Sequence, residues 1–398
     1  MGKPHVNIAF ENGNIGTVTT SPDGVNVIVS SAVANAGFAL STPYTVYSLN
    51  EAEALGIIPT IAGNYELHKT IKEFYAEAGN GMELWIYGLA KTKTLDELVA
   101  ASETVLTSSN RRIRFVTIKY APSVPDTDVE AGLREGFPAT CAAAQAIAEQ
   151  FTVDNTHPVV FILEAYNYSG VPADLIGFGD TTYNRVAVMI GDTEKRTGAT
   201  ASKGAAVGVL AGRIAKNQVH VNVGRVKDGA LKPLTFYVVD IPVEQVNVGA
   251  LYDKGFITLT THIGKSGYYF VDDMLACELE DDYHFLTRRR VIDKAYVLAN
   301  QTLTNFILDT VPLTNEGKIQ AAYAKALEAE VERVIAQEMT AKGELSADVT
   351  VANDTGVNCV IDVTNNIAQD STIKGRIGVR PHGYGRFLEF TIGFNTGQ

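Results

Sequence analysis

The residues able to do chemistry in this chain are many, and their spacing decides against most of that chemistry. A glycine-rich stretch, IGDTEKRTGATASKGAAVGVLAGR, follows a β-rich run, which is where a phosphate-binding loop would stand. It has neither the GxxxxGK nor the GxGxxG spacing that cradles phosphate. Gly204, Gly208 and Gly212 instead recur every four residues, which on a helix opens a groove for close backbone approach. The acidic run Glu278, Glu280, Asp281 and Asp282, with His284, has the donors for a cation but not the glycine-turned loop of an EF-hand. Arg288, Arg289 and Arg290 suit phosphate by type. Consecutive helical residues point different ways, however, and Asp293 lies four residues from Arg289, so local ion pairs or a subunit contact are expected. The seven histidines form no HExxH or HxxxH pair, and no GxSxG elbow exists. Ser371 to Lys374 matches SxxK by letter, within a segment that reads as a strand. Asp272 and Asp273 are adjacent, which on a strand puts them on opposite faces. Cys141, Cys277 and Cys359 are far apart, odd in number and without CxxC spacing, so neither disulfides nor zinc are expected, and a reducing compartment fits. No catalytic set, cofactor or metal is expected.

The elements that hold these residues read more clearly. From Gly255 to Ile307 a hairpin, with Phe256, Thr258 and Thr260 against Tyr269 and Val271 around Gly264–Gly267, feeds a helix. Phe285, Ile292, Ala295, Ala299, Leu303 and Phe306 line one face of that helix, and Glu280 to Asp282 suit its positive end, which predicts a start near Glu280. Before this passage, strand and helix patterns alternate. Strands are predicted at 25–31, 44–48, 84–87, 113–118, 159–163 and 186–190. Helices are predicted at 50–55, after Asn64 as cap, at 94–108 with Thr94 and Glu97 in capping-box spacing, at 139–149 and at 202–216. Such alternation implies a largely parallel sheet with helices on its faces. After it come a helix over 316–342, stopped by Gly343, and a β-rich tail with Val349, Val351, 360–363, 373–379 and the strict alternation of Leu388, Phe390, Ile392 and Phe394. At the other end Val6, Ile8 and Phe10 alternate in the same way before a glycine-rich link.

Composition sets outer limits. The chain has 398 residues, 46% hydrophobic and 20% charged, enough for two cores or one large core with a subdomain. A net charge of −12 argues against a general binder of nucleic acid or anionic membrane, because those neutralise phosphates with lysine and arginine. The opening MGKPHVNIAF lacks the apolar run of a signal peptide, and no apolar stretch is long enough to span a bilayer. An internal, soluble protein is expected.

Several segments resemble contractile tail sheath proteins. In NEAEALGIIPTIAGNYELHKTIKEFYAEAGNGMELWIYGL, Leu55, Gly56, Phe74, Gly79 and Gly81 carry the likeness. GAAVGVLAGRIAKN is similar to that family's Gly-Arg helix through Gly212, Arg213 and Ala215, and IKGRIGVRPHGYGRFLEFTIGF is similar to its C-terminal portion. The resemblance covers nearly the whole chain. It implies a sheath subunit of a phage tail or related contractile injection machine, assembled in the bacterial cytoplasm and polymerised as helical stacked rings around a tail tube. Baseplate and terminator proteins are its further implied partners, and it implies no enzyme activity.

The expected architecture is therefore α/β, with a mixed, largely parallel sheet core and flanking helices, a C-terminal α+β portion and terminal β-strand arms. The expected divisions are an N-terminal strand arm and linker at 1–22, an α/β core at 23–250, a sheath-like portion at 251–372 and a C-terminal strand arm at 373–398. Val6, Ile8, Phe10, Leu388, Phe390, Ile392 and Phe394 are expected to add to sheets of neighbouring subunits, since an exposed alternating strand needs a partner. By resemblance, the polar face of the 316–342 helix, with Lys318, Lys325, Glu328, Glu332 and Arg333, is expected to touch the tube. The competing reading is a doubly wound enzyme binding a nucleotide or small acid at the strand ends.

Overall fold

The computed structural model describes residues 22–61, 63–197 and 202–392. It divides into two units, residues 1–290 and 291–398.

The first unit is built on a six-stranded sheet. Its strands are β1 (Asn26–Ala32), β2 (Pro43–Val46), β3 (Leu84–Ala90), β4 (Phe115–Lys119), β5 (Val160–Glu164) and β6 (Val186–Met189), in the order β2-β3-β1-β4-β5-β6. All neighbours pair in parallel except β2, which runs antiparallel on the edge. β1 is buried along its whole length, as a central parallel strand covered on both faces must be. The helices are α1 (Leu49–Ala54), α2 (Tyr65–Ala78), α3 (Leu95–Ser108), α4 (Phe137–Asn155) and α5 (Val207–Lys216). α2 packs on α5 over β4, and α3 packs on α4 against the other face, so the expected layered α/β core is present.

Local chemistry explains where these elements start and meet. Thr94 and Glu97 form the predicted capping box: the Thr94 N–H donates to Glu97 Oε2 at 2.8 Å and the Glu97 N–H to Thr94 Oγ1 at 3.2 Å. Asn64 does not cap α2 through its side chain. Its amide bonds both the N–H and the C=O of Val33, extending the end of β1 instead. α5 begins at Val207, so Gly204 lies before the helix. Gly208 and Gly212 alone form the close-approach face, where a Cβ would meet the carbonyl oxygens of Thr70 and Phe74 on α2.

Two strands, β7 (Leu259–Thr260) and β8 (Tyr269–Phe270), form the predicted antiparallel hairpin. The helix after it, α6 (Leu286–Thr304), starts six residues later than Glu280. Its first amides are taken by Asp273: the Leu286 N–H donates to the Asp273 carbonyl at 2.8 Å and the Thr287 N–H to Asp273 Oδ2 at 2.9 Å. Glu280 to Asp282 stand in the preceding turn, which Asp281 closes by accepting from the Tyr283 N–H at 2.7 Å.

In the second unit the predicted 316–342 helix is shorter: α7 spans Ala321–Glu338, followed by a 3-10 turn Thr340–Lys342 that Gly343 ends at φ 75°. It packs on an antiparallel hairpin of β9 (Val357–Ile361) and β10 (Gly375–Val379), around Ile319, Ala324, Leu327 and Ile361. Val349 and Val351 are not in a strand. They project from a turn in which Asp348 accepts from the Thr350 N–H and hydroxyl. Leu388, Phe390 and Ile392 pair with no strand among the described residues and are 75, 89 and 98% exposed. Val6, Ile8, Phe10 and Phe394 lie outside the described residues.

Candidate functional site

In a doubly wound sheet a ligand sits outside the carboxyl ends of the strands where the order reverses, here between β1 and β4. That place is filled from within. Lys119, the last residue of β4, is buried with its Nζ 3.0 Å from Glu164 Oε2, at the end of β5, and 3.1 Å from Glu66 Oε2 on α2. Glu164 also accepts from the N–H groups of Tyr120 at 2.5 Å and Ala205 at 3.0 Å, just ahead of α5. These are the backbone donors that would face a phosphate. A Cβ on Gly204 would collide with the same carboxylate. Burial pushes the Glu164 carboxyl up, opposed by Lys119; burial pulls Lys119 down, but Glu164 and Glu66 outweigh it and hold the ammonium charged. Beside it Lys69 pairs with Asp192, and the Thr193 hydroxyl donates to Glu73 at 2.6 Å. Between Ile190, Asp192, Ser202 and Tyr237 a cavity of about 10 Å³ remains, at the lower limit for one water.

The other charged residues singled out by sequence also hold the fold. Arg290 donates to the carbonyls of Ile214 at 3.2 Å and Asn217 at 2.8 Å, capping the C-terminal end of α5 with positive charge. Arg289 stacks on Tyr283, and Arg288 lies over Phe285. Arg213, buried in α5, donates to the Gly229 carbonyl at 2.6 Å and faces Glu77 at 3.7 Å. Asp272 and Asp273 do not face apart: the Asn222 amide nitrogen reaches both, at 2.6 and 2.8 Å. Burial and the Asp272 charge push the Asp273 carboxyl well up. His284 is buried, its Nδ1 2.9 Å from the Cys277 carbonyl. Among the described residues there is no cluster that could hold a metal ion, and no helix is long and apolar enough to cross a membrane.

The second unit holds the residues assigned to tube contact. Lys318 precedes α7 and pairs with Glu316 at 2.6 Å, so it is not on the helix's polar face. Lys325 and Arg333 are exposed on α7, paired with Glu328 at 2.5 Å and Glu330 at 2.6 Å. Glu328 and Glu332 turn to the hairpin. Glu328 Oε1 accepts from the Ile361 N–H and Glu332 Oε1 from the Cys359 N–H, both at 2.7 Å. The Ile361 N–H and the Lys325 ammonium hold the Glu328 carboxyl below its ordinary value. Sequence reasoning missed this role because an i, i+4 glutamate pair looks the same whether it faces water or a strand.

A family model described as DUF2586, N-terminal domain, matches residues 3–274, and one described as DUF2586, C-terminal domain, matches residues 282–397. No curated protein sequence matches the chain. Among solved structures, the helical sheath of the anti-feeding prophage in its contracted state is similar at a TM-score of 0.64 and 14% identity, over 99% of this chain and 100% of that one. A chain of the anti-feeding prophage baseplate is similar at 0.62 and 13%, over 100% of both. A sheath tail protein from Desulfitobacterium hafniense is similar at 0.53 and 11%, over 95% of this chain and 100% of that one. At these identities the likeness is one of fold. With the two family matches covering almost its full length, the chain belongs to the DUF2586 family, and it has the fold of contractile sheath proteins.

Proposed function

We propose that the chain is the repeating subunit of a contractile sheath, polymerising as stacked helical rings around an inner tube and shortening to drive that tube through a cell envelope. The observation that carries the reading is the fold match to sheath proteins, including one in a contracted helical sheath, over 99% of this chain and 100% of that one. The exposed alternation of Leu388, Phe390 and Ile392 supports strand exchange between subunits, because such a segment is a hazard to a lone chain and a link in a polymer. Val6, Ile8, Phe10 and Phe394 are assigned to the same exchange on their sequence pattern. The tube-facing charges are Lys318, Lys325 and Arg333, while Glu328 and Glu332 are engaged with the hairpin. Assembly takes place in the bacterial cytoplasm, with baseplate and terminator proteins at the ends of the polymer.

An enzyme reading has no support at the strand ends, where Glu164 takes the donors a nucleotide would need. The deciding experiment is electron microscopy of the purified full chain, alone and with its tube protein. Tubes or stacked rings are the expected result. Dispersed particles that melt later on adding nucleotide would overturn the proposal.

A further inference from the structure

The hairpin of the second unit has two edges, and they are not alike. The Asp362 N–H donates to the Lys374 carbonyl and the Arg380 N–H to the Gly356 carbonyl, both at 2.8 Å, so along this hairpin the even residues of both strands face each other. The N–H groups of Val357, Cys359 and Ile361 therefore point out of the β9 edge, and those of Gly375, Ile377 and Val379 out of the β10 edge. On the β9 edge, Glu332 and Glu328 take two of the three amides, those of Cys359 and Ile361, at 2.7 Å each. The match is geometric: four residues of helix rise about 6 Å and two residues of strand about 6.6 Å. An i, i+4 carboxylate pair on an antiparallel helix thus reproduces the acceptors of a neighbouring strand. On the β10 edge no described residue takes the outward amides.

The faces of β10 also differ. Ile377 and Val379 are half-buried on the side that carries Cys359 and Ile361, toward α7, while Lys374 and Arg376 are exposed on the other. The segment 388–392 has the complementary pattern, with Leu388, Phe390 and Ile392 on one side and Glu389 on the other. Resting on the proposed sheath function, we infer that Glu328 and Glu332 seal the β9 edge, so that the C-terminal segment of a second copy joins this hairpin only along Gly375–Val379. It joins with its apolar side toward α7 and Glu389 beside Lys374 and Arg376. The basic pair also discourages two β10 strands from pairing with each other, as lysine does on protected edges.

Amide hydrogen exchange on the full-length chain, dispersed and polymerised, tests this. In the dispersed chain Cys359 and Ile361 exchange slowly. Glu328→Ala with Glu332→Ala speeds them by about 10- to 100-fold, the worth of a charge-assisted bond, whereas Glu328→Gln with Glu332→Gln, which keeps the acceptors, speeds them less. On polymerisation, slowing appears at Ile377 and Val379 and not at Cys359 or Ile361. Fast exchange at Cys359 and Ile361 in the dispersed wild type overturns the inference, as does new protection there on polymerisation. Slow exchange at those two with no gain along β10 in the polymer overturns instead the strand-exchange reading on which the direction rests.

Discussion

Glu73 is a buried carboxylate whose proton is coupled to folding. It lies 3.9 Å from Lys69, accepts from the Thr193 hydroxyl, and burial pushes its carboxyl up to about 7 against the pull of Lys69. The folded chain therefore holds a proton that the unfolded chain releases from its ordinary value of 4.5 upward, and stability falls as pH rises from there to about 7. At about 1.4 kcal/mol per unit the fall is on the order of 3 kcal/mol. Glu73→Gln keeps an acceptor for Thr193 and should flatten that slope, giving a variant more stable than wild type at the alkaline end. Urea denaturation across the window measures it, and a variant with the wild-type slope would assign the pH dependence elsewhere. None of this was legible in the sequence, where Glu73 is one acid among many on a helix. The same holds for Glu164, Glu328 and Glu332, because which backbone amides lack a partner depends on which strands end up neighbours or edges.

The elements themselves were far more legible, because a strand or helix declares itself by period and by its own caps. The parallel strands, the capping box at Thr94 and the hairpin around Gly264–Gly267 follow from local pattern. Boundaries failed where the cap is remote: Asp273, thirteen residues before Leu286, starts α6, while the acids at 280–282 only resemble a helix start. Packing between elements was half legible. Gly208 and Gly212 let α5 lie on the backbone of α2, so Gly212→Ala must push against the Phe74 carbonyl and the Glu77 side chain. Overpacking of this kind costs about 1–3 kcal/mol, and the expected result is a lowered melting temperature in scanning calorimetry. An unchanged melting temperature would mean that the two helices separate freely. On α7, the ammonium of Lys325 and the guanidinium of Arg333, with Lys318 ahead of the helix, are exposed, so water and salt screen their pairs with Glu328, Glu330 and Glu316. Changing the three to Gln should therefore leave stability nearly unaltered and weaken loading onto the tube protein, most visibly at low salt. Wild-type decoration of tubes by this variant would remove α7 from the tube-facing wall.

At the scale of the whole molecule, sheath action requires subunits to move past each other without parting. The proposed drive is strain stored in subunit interfaces at assembly rather than a bound nucleotide, since the strand-end crevice is closed by Lys119 and Glu164. Purified polymer should then shorten with acid or mild denaturant alone, and a strict nucleotide requirement would overturn that. In the proposed lattice, connection during the movement is assigned to the terminal segment. Leu388, Phe390 and Ile392 lie outside the chain's own core, as their exposure shows, so removing them costs the single subunit almost nothing. In a polymer they would bury most of that apolar surface, at roughly 25 cal/mol per Å², and restore backbone bonds along Gly375–Val379. Deleting Arg386–Gln398 should accordingly give a chain that melts within a few degrees of wild type and sediments as a monomer, yet forms no tubes under conditions where the full chain does. Phe390→Asp in the intact chain should do the same by placing a charge on the apolar side of the joining strand, which separates loss of pairing from loss of length. Normal tubes from both variants would show that the lattice is held by the faces of the folded units, and the arms would then have no part in keeping it connected.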